Sequence, residues 1–352
     1  MKRIAILGAG AMGSAITAPL CDSGNSVNLW GTEFDTTILN TIAETGMHPS
    51  LKAELPKGIH IFYHDELDKA LNKCDTVFIA VVSDVVKSIV ERALPYMGTT
   101  KRLVILSKGL HMENKRIKPL SKAVEEVIGS EKISVISVGG PCIAEELIRR
   151  VPTAAVYASR DLNSALECKK SFETDYYKIF ITNDIIGVEL CAALKNVYAI
   201  AVSWSEGLAK GLNLKSMFNL KSILVTQAVK EMARIIEKLG GKSETAFGLA
   251  GLGDLDVTTR KYGGRNLLFG NLLGEGMNTK EALEYMSKKG IYTIEGIPTA
   301  IRIYEILKKD EESSHMLEGL PLLRSLVGVI QGRLQVKEAI PTVLKNIKLD
   351  DF

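Results

Sequence analysis

The chain has 352 residues, 46% of them apolar and 24% charged, and a formal net charge of +3. That length predicts two domains with real cores. So small a charge, with no Lys/Arg run interleaved with aromatics, gives no argument for a nucleic-acid partner, and none is expected. Cys21, Cys74, Cys142, Cys168 and Cys191 are scattered without a Cys-x-x-Cys pair. This predicts a reducing compartment, the cytoplasm, and no disulfide framework. The five histidines show no ligand spacing, so no metal site is expected. No stretch of about 18 uncharged apolar residues occurs, so no membrane span is expected.

Residues 4–7 form an apolar strand followed at once by Gly8-Ala9-Gly10-Ala11-Met12-Gly13 and a helical pattern to Leu20. This is Gly-x-Gly-x-x-Gly in a strand–turn–helix context. Gly8 permits the tight turn, Gly10 lets a pyrophosphate approach the backbone, and Gly13 lets helix and sheet pack closely. The helix N-terminus beyond favours an anion. A second strand covers residues 26–30, with Gly31-Thr32-Glu33 after it. Glu33 is a candidate for a ribose 2′-hydroxyl, and residues 31–36 contain no arginine for a 2′-phosphate, but Glu33 lies a residue or two beyond the usual place and Thr32 could tolerate either cofactor. A polar, helix-like stretch is expected to run to Ala53.

Further strands are expected at 59–62, 76–82, 103–106 and 133–138, alternating with helices at 65–71 and from Ser83-Asp84 to near Pro95. Weaker strands cover 153–158 and 177–182. The alternation argues for a parallel α/β sheet. Ligands bind at the carboxyl ends of such strands. Ser107-Lys108-Gly109 and the Gly139–Cys142 turn occupy those ends. Gly140 and Cys142 could offer backbone N–H groups to a ligand, although a plain helix start with Pro141 near its first position explains the turn nearly as well.

After a junction at Asn183-Asp184 the chain reads mainly as helices. Residues 189–206, ELCAALKNVYAIAVSWSE, carry one charge, Lys195, between their acidic ends. A helix apolar all round is usually buried. Its lone lysine is therefore either a paired, proton-transferring group or a surface-seeking side chain, and local pattern does not separate the two. A loop is expected at 207–213 and a long helix at 216–239. Three glycines in Gly248-Leu249-Ala250-Gly251-Leu252-Gly253 suggest close backbone packing around Asp254. Residues 262–266, Tyr-Gly-Gly-Arg-Asn, then open another helix, where Arg265 and Asn266 suit a phosphate, although a glycine turn with a solvated arginine explains the local pattern better. Helices are expected at 279–289 and 298–308, with Glu295 between them, and again from Leu320, with Pro341 starting the last. His315 is expected to face solvent.

Taken together, GAGAMG, SKGL, GGPCIAEE, VELCAALKNVYAIA, GLGDL and GGRN resemble the NAD(P)-dependent sn-glycerol-3-phosphate dehydrogenases along nearly the whole chain. The resemblance implies a Rossmann-type parallel sheet domain over 1–184 and an all-helical substrate domain over 185–352. It implies reversible reduction of dihydroxyacetone phosphate, with a role in supplying phospholipid backbones or in glycerol use. Lys195 matches the catalytic lysine, Lys108 the lysine contacting substrate and cofactor, and Asp254 the acid beside them. Gly140, Cys142, Gly264, Arg265 and Asn266 match substrate-binding positions, Cys142 mainly through its backbone. Gly8, Gly10, Ala11, Met12, Gly13, Thr32, Ala144, Arg265 and Glu295 match cofactor-binding positions. Thr32 stands where bacterial members often place histidine or arginine, so the choice between NAD and NADP stays open. The mechanism asks the Lys195 pKa to fall from about 10.4 towards neutrality, helped by burial and by the charges of Lys108 and Arg265. The rival readings are a hydroxyacid or 6-phosphogluconate-type dehydrogenase, and a dinucleotide sensor without turnover. The expected partner is a small phosphorylated substrate, and a homodimer is kept open.

Overall fold

The structure, a computed structural model, describes residues 2–113, 116–130, 132–260, 264–309 and 315–347. The chain divides into two compact units, Met1–Leu190 and Cys191–Phe352. The first is organised on an eight-stranded sheet. Its strands are β1 (Arg3–Leu7), β2 (Ser26–Trp30), β5 (His60–Phe62), β6 (Thr76–Ile79), β7 (Arg102–Ile105), β10 (Ser134–Gly139), β11 (Thr153–Ala158) and β12 (Tyr177–Thr182). Two small hairpins supply β3 (Met47–His48) with β4 (Ala53–Glu54), and β8 (His111–Glu113) with β9 (Arg116–Lys118).

The sheet order is β12-β11-β10-β7-β6-β1-β2-β5. From β5 to β10 this is the doubly wound dinucleotide-binding order, and its reversal point lies between β1 and β6. The central strands are buried on both faces, which is why they read as continuous apolar runs. Alternate residues serve two cores: Ile4, Ile6, Phe78 and Val104 one, Ala5, Leu7, Val77 and Ile79 the other. The sheet is mainly parallel, as expected, but one pairing departs from this: β11 runs antiparallel to β10. β12 follows β11 in parallel and closes the edge, with Lys178 and Phe180 turned to solvent.

Several boundaries differ from expectation for local reasons. The helix after Glu33 runs Thr36–Thr45 and stops at Gly46, whose φ of +74° caps it before the β3–β4 hairpin. The helix after β10 begins at Ala144, with Ile143 as its N-cap, so Pro141 lies outside it. The helix carrying Lys195 spans Ile185–Gly211 and passes straight through Gly207, where a loop was expected. A Cβ at Gly207 would stand 2.1 Å from the Asn271 carbonyl oxygen, and one at Gly270 would stand 2.1 Å from that of Ile200. These glycines let the Ile185–Gly211 and Arg265–Gly274 helices pack backbone to backbone. Pro341 lies inside the Val336–Lys345 helix rather than starting it. His315 is exposed, as expected.

The division into units falls within the Ile185–Gly211 helix, later than the junction at Asn183-Asp184. Glu189 explains the difference. Its carboxylate accepts hydrogen bonds from the Ser121 amide, 2.8 Å, and from the Ser121 and Ser137 hydroxyls. The start of the helix is thereby tied into the sheet unit. Among the described residues this helix alone is long and apolar enough to cross a membrane, and 89% of its most apolar window is buried inside the protein. That is the signature of a core helix.

The helical unit has its own buried acid. Glu231, on the Phe218–Lys238 helix, is fully buried. It accepts from the Leu322 and Leu323 amides at 2.7 and 2.8 Å, from Gln227 and from the Tyr198 hydroxyl. It thus caps the Pro321–Ile330 helix from the side. Burial outweighs these four donors and pushes its pKa from 4.5 up to about 7. Glu189 is pushed up to about 7 by the same cause. A carboxyl raised in the folded state stabilises most below the unfolded pKa and loses that contribution as pH rises through the folded one. Denaturant unfolding should therefore show stability falling between about pH 5 and 7. In Glu231→Gln the fall should be shallower; an unchanged slope would exclude Glu231 as a source.

Candidate active site

The three glycines after β1 differ in what they permit. Gly8 has φ +116°, and a Cβ there would stand 2.7 Å from the Ala80 carbonyl oxygen. A Cβ at Gly13 would stand 2.0 Å from the Gly8 carbonyl oxygen. Both are therefore glycine because the protein itself leaves no room. A Cβ at Gly10 would meet nothing within 4 Å. Gly10 caps the Ala11–Ala15 helix, with Ala11 exposed and Met12 packed against the core. The loop is held from behind through the Ala9 carbonyl, which accepts from the Ser14 hydroxyl at 3.0 Å. His48 Nε2 stands 3.2 Å from the same oxygen. His48 Nδ1 accepts from the Leu51 amide, so Nε2 carries the proton and donates. Burial holds the His48 pKa below its ordinary value, which keeps this neutral tautomer. Sequence reading missed His48; a lone histidine far from the loop carries no spacing signal.

The neighbouring strand ends hold the other predicted groups of the sheet unit. Ser107 bonds the Val81 carbonyl at 2.5 Å, and Lys108 Nζ donates to the Gly140 carbonyl at 3.2 Å. Gly140 has φ +107° and lies against the β11 backbone. Cys142 and Ala144 are half-buried and pack on the core beside Met12. Thr32 is occupied locally: its amide and hydroxyl both donate to Asp35 at 2.8 Å, capping the turn after β2.

In the helical unit, Lys195 is buried and donates to Asp254 Oδ1 at 2.5 Å. The Asp254 side chain is 2% exposed. The ammonium is therefore ion-paired inside the protein rather than reaching for the surface. Asp254 begins the Asp254–Arg260 helix behind a π-helical turn, Leu249–Gly253. Close packing there concerns Gly251, whose Cβ would stand 2.1 Å from the Ala246 carbonyl oxygen. Gly264 caps the Arg265–Gly274 helix; Tyr262 and Gly263 of the same turn lie outside the described residues.

Glu295 joins these parts. It accepts from Arg265 Nη2 at 3.0 Å and from Asn196 Nδ2 at 3.1 Å. Asn196 is the residue after Lys195. The next amide, Gly296 N–H, donates to Asn266 Oδ1 at 3.1 Å. A Cβ at Gly296 would stand 2.4 Å from the Asn196 carbonyl oxygen. One turn, Glu295-Gly296, therefore fixes both the lysine-bearing helix and the Arg265-Asn266 helix start. The Arg265 guanidinium is ion-paired with Glu295 in the same turn.

Comparison with known proteins decides what this arrangement belongs to. The family models of the NAD-dependent glycerol-3-phosphate dehydrogenase N-terminus and C-terminus match residues 3–165 and 184–341. The NADP(+)-dependent glycerol-3-phosphate dehydrogenase of Archaeoglobus fulgidus is 40% identical, over 96% of this chain and 97% of that one. The chain belongs to the NAD-dependent glycerol-3-phosphate dehydrogenase family. The glycerol-3-phosphate dehydrogenase [NAD(P)+] of Bacillus subtilis is 29% identical, over 100% of this chain and 96% of its own length. The crystal structure of glycerol-3-phosphate dehydrogenase from Coxiella burnetii superposes with a TM-score of 0.79 at 28% identity, covering 98% and 99% of the two chains.

The family implies a nicotinamide dinucleotide, and the glycine loop fits one. Gly10 leaves open the space a side chain would fill, directly at a helix start, where backbone N–H groups favour a pyrophosphate. His48 is the loop's support. In His48→Ala the Ala9 carbonyl loses one of its two side-chain donors, and the dissociation constant for NADH should rise several-fold in a fluorescence titration. An unchanged constant would show that Ser14 alone suffices.

Proposed function

We propose that the protein reduces dihydroxyacetone phosphate reversibly to sn-glycerol 3-phosphate with NADH or NADPH. The observation that carries this reading is the buried Lys195–Asp254 pair, in a chain matched by both halves of the family. When bound, the reduced dinucleotide supplies hydride to the ketone carbon. The carbonyl oxygen then needs a proton, and Lys195 Nζ is the group assigned to deliver it. Asp254 holds the ammonium at one place and returns it to the same geometry between turnovers. In the oxidation direction the neutral amine is the base.

Phosphate recognition is assigned to Gly264, Arg265 and Asn266. The Arg265–Gly274 helix start offers N–H groups, and the guanidinium adds a planar fork. Glu295 aims that guanidinium and, by resemblance, contacts the cofactor. Lys108, Gly140 and Cys142 are assigned to substrate, Lys108 and Ala144 also to cofactor, with Gly8, Gly10, Ala11, Met12, Gly13 and Thr32 on the dinucleotide. The sheet domain is assigned to 1–184 and the substrate domain to 185–352. Relatives are named for NADP or for either cofactor, which supports leaving both open. A cytoplasmic location belongs to the same reading, supported by five cysteines of which none forms a disulfide; a homodimer is the oligomeric state to test. The hydroxyacid-type and non-catalytic readings are not favoured, since both family halves match and the lysine and its acid are in place.

Loss of nicotinamide absorbance on adding dihydroxyacetone phosphate tests the reading directly; no turnover with either cofactor would overturn it. Arg265→Ala should raise KM for dihydroxyacetone phosphate by about tenfold or more, the worth of one charge-assisted contact. An unphosphorylated ketone should show little change. Equal effects on both would remove the phosphate assignment.

A further inference from the structure

The turn after β2 carries no cation of its own, yet the fold brings one there. Arg92 lies sixty positions away, near the end of the Val86–Ala93 helix. Its guanidinium carbon stands 5.3 Å from the ring centroid of Trp30, the last residue of β2. Nη2 donates to the His64 carbonyl at 2.6 Å, which anchors one edge of the fork. Nη1 stands 3.9 Å from Glu33 Oε2, within ion-pair reach but beyond a hydrogen bond. Both side chains are about half exposed, 42% and 56%. Thr32 and Asp35, by contrast, are bonded to each other.

In a doubly wound dinucleotide domain the turn after the second strand meets the adenosine ribose. A carboxylate there takes a 2′-hydroxyl, and an arginine nearby takes a 2′-phosphate. Here one of each faces the other in a long, half-exposed ion pair. An anchored, half-exposed guanidinium suits a phosphate dianion, and the Trp30 ring beneath it adds a cation–π contact. Glu33 opposes that dianion and suits the hydroxyl.

We propose that Arg92 is the residue that admits the 2′-phosphate of NADP, and that Glu33 is its counterpart for the 2′-hydroxyl of NAD. This rests on the dinucleotide reading of the glycine loop but goes beyond it, since it fixes what decides between the two cofactors. The assignment needs a binding readout that involves no turnover. With the full-length protein, calorimetry would compare adenosine 2′,5′-bisphosphate with adenosine 5′-phosphate. Arg92→Ala should weaken the bisphosphate by at least about tenfold, while the monophosphate moves less than about twofold. The NADPH-to-NADH ratio of kcat/KM should fall by a similar factor. Glu33→Gln should do the reverse, tightening the bisphosphate and raising that ratio. If Arg92→Ala does not fold, Glu33→Gln carries the test. Equal weakening of both nucleotides in Arg92→Ala, or an unmoved ratio in Glu33→Gln, would overturn the proposal. Should the protein bind these nucleotides as described but not reduce dihydroxyacetone phosphate, the proposed reaction fails while the Arg92 assignment stands.

Discussion

Burying the Lys195 ammonium constrains the helical unit more than any other single feature. An ammonium removed from water is strongly unfavourable unless a counter-charge meets it. Asp254 supplies that charge at 2.5 Å. Removing one partner of such a pair typically costs about 3–5 kcal/mol, because the other is left buried and unpaired. Replacing the whole pair with apolar side chains is often neutral or stabilising. Fold stability alone therefore gives little reason for the pair, which suits the proton-transfer role proposed for Lys195.

The backbone around the pair is built for precision. Gly207, Gly270 and Gly274 remove side chains where the Ile185–Gly211 and Arg265–Gly274 helices touch, and Gly296 does the same against Asn196. Glu295 then ties Asn196 to Arg265, and Asn266 ties back to Gly296. Lys195 and the Arg265 helix start thus hang from one hydrogen-bonded turn and one glycine seam. A group that must meet a reacting atom gains from such a rigid mount. The sheet unit follows the same logic, with the Ala9 carbonyl gripped by Ser14 and His48 while Gly10 is left bare.

Much of this was legible in the sequence where physical pattern is local. Continuous apolar runs marked the central strands, and the glycine loop announced its strand–turn–helix setting. The chemistry of Lys195 was legible as a problem, a charge in an apolar helix, but its solution lay 59 residues on and pattern could not join the two. What was misread shares one cause. Gly207 looked like a loop because glycine is unfavourable in a helix interior, yet it serves tertiary packing against Asn271. Pro341 looked like a helix start and lies inside one. β11 looked like one more parallel strand, and its direction is set by pairing that single-strand pattern does not encode. His48 and Arg92 act on loops remote in sequence, so no motif could have flagged them.

The central claim is that Lys195 moves the proton while other groups bind. Single-turnover mixing of NADH-loaded Lys195→Ala with dihydroxyacetone phosphate tests it most directly, with NADH affinity and thermal unfolding measured on the same sample. The account predicts a folded protein that binds NADH near normally and oxidises it slower by about 100-fold or more, the usual worth of a positioned acid. Hydride transfer at a near-normal rate in that variant would contradict it.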